Sequence, residues 1–177
     1  MTSDDWFEDF GGKLRHPLHL GIYDYWRRRC RDGRIPLRAD IDPIAIGAAM
    51  LPWIILYDVV WGGDGPRFRF RLVGTGNVAR YGRDATGLWF EELYDGVVLD
   101  EQIAAYTWVA RKALPDYSVR QMPVKDKEFI PYERLLLPFR TEQGTVTTIL
   151  GLMGFQDVCP AGHEHPFHRP IYRAPRP

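Results

Sequence analysis

Residues 54–73, IILYDVVWGGDGPRFRFRLV, limit the possible folds more than any other stretch of the chain. Ile54–Trp61 is dense in β-branched and aromatic residues. Gly62-Gly63-Asp64-Gly65 supplies a turn, and Arg67–Val73 then alternates charge with apolar bulk. Alternation of this kind places successive side chains on opposite faces of a strand, so the stretch predicts an antiparallel hairpin. Phe68, Phe70 and Leu72 are expected on one face, with Arg67, Arg69 and Arg71 on the other. Asp58 shares a face with Ile54, Leu56 and Val60 and is a candidate partner for one of these arginines.

Helices are expected on both sides of the hairpin. Leu18, Ile22, Tyr25, Trp26 and Arg29 recur at three- and four-residue spacing, which predicts a helix from Leu18 to about Arg31. Arg27–Arg29 complement its negative end, and Gly33 stops it. Asp42-Pro43 reads as an N-cap and first helical position of a short helix running to about Met50. After the hairpin, Gly74-Thr75-Gly76 breaks the strand and opens a run of short helices through Leu93. Asp100 to about Ala113 reads as a longer helix, with Ile103, Tyr106 and Val109 toward the core and Trp108 at its edge. Three further strands follow, near Tyr117–Pro123, Tyr132–Arg140 and Thr145–Phe155, the last two joined at Thr141–Gly144. Strands grouped apart from helices argue an α+β fold with an antiparallel sheet.

The domain is expected to span residues 18–157. Residues 1–17 are broken by Gly and Pro and read as a mobile arm with an aromatic anchor at Trp6, Phe7 or Phe10. Residues 158–177 form a Pro/His/Arg-rich tail that cannot build a core.

Composition excludes several classes. The chain carries 23 basic and 23 acidic residues, so no net charge draws it to nucleic acid or to an anionic membrane. The apolar run Ala45–Val60 is interrupted by Pro52 and Asp58 and is too short to span a bilayer. No signal peptide is read in MTSDDWFEDF, and two distant cysteines suit a reducing compartment, so a cytoplasmic location is expected. Cys159, His163, His165 and His168 cluster in the tail, but their spacing matches no standard zinc motif and no metal site is assigned.

The blocks WRRRCRDGRIPLRADIDP, LPWIILYDVV, RFRFRLVGTGNVARYGRDATG and YERLLLPF stand in the order found in a bacterial family of stand-alone PAS-domain proteins of unknown function. The chain resembles that family over roughly residues 20–155. The resemblance implies a five-stranded antiparallel sheet of order 2-1-5-4-3, short helices over one face enclosing a small cavity, and an N-terminal flanking helix. It also implies that the segment after the second strand wraps or fills the cavity, which makes Tyr81, Trp89, Phe90, Tyr106 and Trp108 candidate wall residues. Plain core packing is the other reading of the same aromatics. Flavin photosensors of this fold carry a reactive cysteine in the helix corresponding to Tyr81–Phe90, where this chain has none. Haem members use a core histidine, and no His occurs between His19 and His163. Neither cofactor is expected, and the ligand is left unnamed.

Two polar candidates complete the set. Glu133 shares a strand face with Leu135, Leu137 and Phe139, opposite Tyr132, Arg134 and Leu136. A carboxylate on an apolar face must pair or titrate, so Glu133 is either a polar anchor in the cavity or a strand-end residue paired at the rim. Arg71, with Arg67 and Arg69, could bind an acidic group, or these arginines form the solvent face. No nucleophile–base pair stands out and Gly74-Thr75-Gly76 is not a phosphate loop, so an enzyme is not expected. The function expected is a PAS-type sensory or regulatory module binding a small molecule or a signalling protein. Its output would be made in trans, and the helix side bearing Ile22, Tyr25 and Trp26 would serve a homodimer, pack on the outer sheet face within the chain, or both. A ligand-free interaction module with a collapsed cavity is the alternative, and a small-molecule enzyme using Glu133 is a more distant one.

Overall fold

The computed structural model describes residues 3–123, 127 and 130–158. Helix α1 (Ser3–Gly11) leads into α2 (Pro17–Arg27), then the single turn α3 (Pro43–Ile46). Strands β1 (Ile54–Gly62) and β2 (Gly65–Val73) form the hairpin, followed by α4 (Thr75–Tyr81), α5 (Phe90–Leu93) and α6 (Gly96–Lys112). Strands β3 (Asp116–Gln121), β4 (Pro131–Arg140) and β5 (Val146–Gly154) close the sheet. All pairings are antiparallel and the order is β2-β1-β5-β4-β3, as the resemblance implied.

The five strands carry a layer on each face. On the inner face, α4, α5 and α6 cover Tyr57, Phe68, Phe70, Arg134 and Leu136. On the outer face, α2 covers Leu135, Leu137, Phe139, Leu150 and Leu152, and α1 packs on α2. Trp26 joins the layers by donating its indole N–H to the Pro138 carbonyl at 2.9 Å. Because both faces are covered, β4 is buried from Tyr132 through Phe139, unlike a one-sided antiparallel strand. In α6 the buried positions are Gln102, Ala105, Tyr106, Val109 and Ala110, a stripe of helical period. Ile103, expected inward, is only half-buried.

Two local expectations are corrected. Residues 3–11 are not a mobile arm: they form α1, which buries Phe7 and Phe10 against Trp26 and Tyr23. The Tyr23 hydroxyl donates to the Phe7 carbonyl at 2.7 Å. Leu72 does not follow Phe68 and Phe70 inward. A β-bulge shifts the β1–β2 register between Leu56 and Tyr57, so Leu72 pairs with Leu56 while Phe70 pairs with Tyr57, and Leu72 is left 43% exposed. The inward side of α2 is spent within the protomer, since Ile22 and Trp26 are fully buried and Tyr25 nearly so.

The turn from β2 into α4 shows why VGTGN reads as it does. A Cβ on Gly74 would lie 2.5 Å from the carbonyl oxygens of both Leu51 and Pro52, and one on Gly76 would meet the Trp53 indole at 2.8 Å. Asn77 is buried beneath and donates to the Ile54 carbonyl at 3.3 Å. The following segment then returns along β2: Phe70 N–H donates to Leu88 O at 2.9 Å, and Gly87 N–H to Phe70 O at 2.7 Å.

Candidate functional site

Phe90 sets the shape of the inner face. Its ring lies 4.9 Å from Tyr106, 5.2 Å from Phe70, 5.4 Å from Phe68 and 5.7 Å from Tyr57. This cluster fills the centre of the face. Beside it, toward α4, a cavity of about 200 Å³ remains, lined by Ile55, Phe70, Val73, Tyr81, Arg83, Ala85, Leu93, Tyr94 and Pro123. The walls are mostly apolar and the exposed Arg83 stands at the mouth. The volume lies below the roughly 300–1,000 Å³ usual for sites of drug-sized ligands.

Phenol hydroxyls are the main polar groups around this space. The Tyr81 hydroxyl faces that of Tyr132, and the Tyr57 hydroxyl faces that of Tyr106. Tyr94 also lines this space. Burial pushes the Tyr57, Tyr81 and Tyr94 phenols well above the ordinary tyrosine value. Tyr106 is pushed up to about 12 by burial, against the opposing pull of the Arg134 guanidinium.

Arg134 is the buried charge of the inner face. It donates to Gln102 Oε1 at 2.6 Å and lies 3.4 Å from Asp116 Oδ2, with its guanidinium 5.2 Å from the Tyr106 ring centroid. Its Nε has no partner among the described residues. Burial works against its charge, and the neighbouring Tyr106, Tyr132 and Asp116 oxygens more than offset that, so Arg134 stays ionised.

The expected wall residues scatter. Tyr81 alone lines the cavity. Phe90 and Tyr106 belong to the packed cluster, Trp108 is half-buried at the edge of the core, and Trp89 lies outside, under Arg67 at 4.3 Å. Arg71 is on the outer face, 3.4 Å from Asp58 Oδ1, and Arg69 reaches Asp58 Oδ2 at 2.9 Å. Asp58 is therefore the partner the strand pattern pointed to. Ile55, Val73, Arg83, Ala85, Leu93, Tyr94 and Pro123 carried no signal as a set, because they come from five separate segments of the chain.

Glu133 is neither a cavity anchor nor a rim residue. It lies fully buried on the outer face, with the sheet between it and the cavity. The Tyr117 hydroxyl donates to Glu133 Oε2 at 2.6 Å, and His19 Nδ1 is 3.5 Å from the same oxygen. His19 Nε2 is 3.1 Å from the Leu152 carbonyl oxygen, and His16 Nε2 is 3.2 Å from that of Phe155. Leu18 N–H donates to His16 Nδ1, which makes His16 the Nε2–H tautomer. A Cβ on Gly154 would sit 2.9 Å from the His16 ring and 3.1 Å from that of His19, so glycine here makes room for both imidazoles. Burial, and then the bond to Glu133, push the Tyr117 phenol far up. The signal for this cluster was present in HPLHL and GLMGF, but only the fold brings the two together.

Among the described residues, no group of three or more His, Cys, Asp or Glu is placed to hold a metal ion, and no helix is long and apolar enough to cross a membrane. The Cys159–His168 cluster of the tail lies outside the described residues.

Sheet order, helical layer and inner-face cavity together define a PAS architecture, and the comparison with protein families agrees. The family described as PAS domain matches residues 14–154, and the chain belongs to it. Domains of this family are in general sensory or regulatory modules. No curated protein matches the chain at a significant level.

Proposed function

We propose that this PAS domain is a regulatory module that binds a small molecule in its inner-face cavity. The observation that carries the reading is the cavity itself: about 200 Å³ left open beside a tightly packed aromatic cluster. A protein that only needed a core would gain by filling that space.

A route for output runs through β4. Arg134 ties this strand on the inner face to Gln102 of α6, and the adjacent Glu133 faces His19 of α2 on the other side. Ligand-driven movement of α5 and α6 would pull on one face of β4 and be felt by α2 on the other. A homodimer through α2 would have to use its remaining exposed side, including Leu20, because Ile22, Tyr25 and Trp26 are consumed internally.

Phe90 supports the second reading, a ligand-free interaction module, since it already fills the middle of the inner face. Native mass spectrometry of the purified protein, with an absorbance scan of the same sample, separates the two. The ligand reading expects a co-purified small molecule, or thermal stabilisation growing as RT ln(1 + [L]/Kd) with an added one. A clean apo mass with no stabilisation by any compound in a broad screen would sink it.

A further inference from the structure

The proposed cavity has a chemical asymmetry that points to a class of ligand. Its interior is apolar, with Ile55, Phe70, Val73 and Leu93 as walls, and its mouth carries one guanidinium, Arg83. Several other arginines of this half of the molecule have a carboxylate beside them. Arg67 pairs with Glu91, Arg69 and Arg71 with Asp58, Arg80 with Asp157, Arg120 with Glu101 and Arg134 with Asp116. Arg83 has no carboxylate partner among the described residues, although its near neighbour Arg80 is held by Asp157 at 2.6 Å.

Volume limits what can enter. An apolar cavity of about 150 Å³ holds one benzene ring, so about 200 Å³ takes one ring or a short alkyl chain with a small head group. Apolar walls exclude a second charge inside, because an ion buried there without a partner is expensive to desolvate. A single guanidinium at the mouth matches the planar, bidentate geometry of a carboxylate.

Resting on the cavity reading above, we propose that the ligand is a small apolar monocarboxylate, with its ring or short chain inside and its carboxylate on Arg83.

Isothermal titration of the full chain with benzoate and hexanoate, each compared with its uncharged amide, tests the assignment. The unaltered protein is expected to bind at least one acid about tenfold or more tighter than its amide, the factor that roughly 1.4 kcal/mol supplies. Arg83→Gln should erase that preference, and Arg83→Lys should restore part of it. Arg83 is exposed, so these variants are expected to fold as the parent does. Equal affinity for acid and amide in the parent, or a preference that survives Arg83→Gln, overturns the carboxylate assignment and leaves the cavity reading standing. Failure of all four compounds to bind at millimolar concentration overturns the assignment too. If no co-purified molecule is found either, the cavity reading falls with it.

Discussion

At Gly74 one added methyl group has nowhere to go. Its nearest neighbours at 2.5 Å are the backbone oxygens of Leu51 and Pro52, which cannot turn aside as a side chain can. Gly74→Ala is therefore expected to destabilise by about 1–3 kcal/mol or more, the range for overpacking a full site. Gly76→Ala meets the Trp53 ring instead, and should cost less because an indole can shift and alanine favours the helix. Urea unfolding of both variants checks the order, and equal losses would contradict it. Glu133 shows what a sequence withholds at single positions. Alternation in YERLLLPF correctly groups Glu133 with Leu135, Leu137 and Phe139, yet β4 is buried on both faces. The pattern tells which residues share a face and not which layer covers it. The same limit hid Arg134, the inner-face charge, behind its neighbour.

Helix α1 carries the clearest test one step up. If Phe7 and Phe10 lay on a loose arm, removing either would be nearly silent. Packed against Trp26 and Tyr23, each is expected to cost on the order of 3 kcal/mol when cut to alanine, measured by chemical unfolding. The hairpin, α2, α6 and the last three strands were legible because their apolar period is unbroken over many residues. Helix α1 was not, because SDDWFEDFG is short and acidic and its stability comes from docking on α2. The bulge that exposes Leu72 was equally invisible: RFRFRLV alternates without a break, and the extra residue is set by pairing with β1. The order of the strands came from the family resemblance, since local period says nothing of which strands become neighbours.

Across the whole molecule, tyrosines dominate the response to alkali. Tyr57, Tyr81, Tyr94, Tyr106 and Tyr117 all have folded values raised above the ordinary one, burial being the first cause in each. Above about pH 10 the unfolded chain releases these protons while the folded one keeps them, so stability falls as pH rises. Each tyrosine that stays neutral in the fold contributes a slope of about 1.4 kcal/mol per pH unit. Phenolate absorbance should therefore lag that of an unfolded control and then rise together with loss of the circular dichroism signal. Ionisation of all tyrosines near their ordinary value, with the fold intact, would show that the phenols around the cavity are wet.

The return of residues 87 and 88 along β2 has a consequence for how this protein behaves in a crowded solution. Those two bonds to Phe70 occupy the outer rim of the hairpin, which would otherwise offer its backbone to a neighbouring chain. Ala85, two residues before Gly87, is a wall of the cavity. One short strap therefore serves both as a wall of the cavity and as the cover that keeps neighbouring chains from adding to the sheet at this rim.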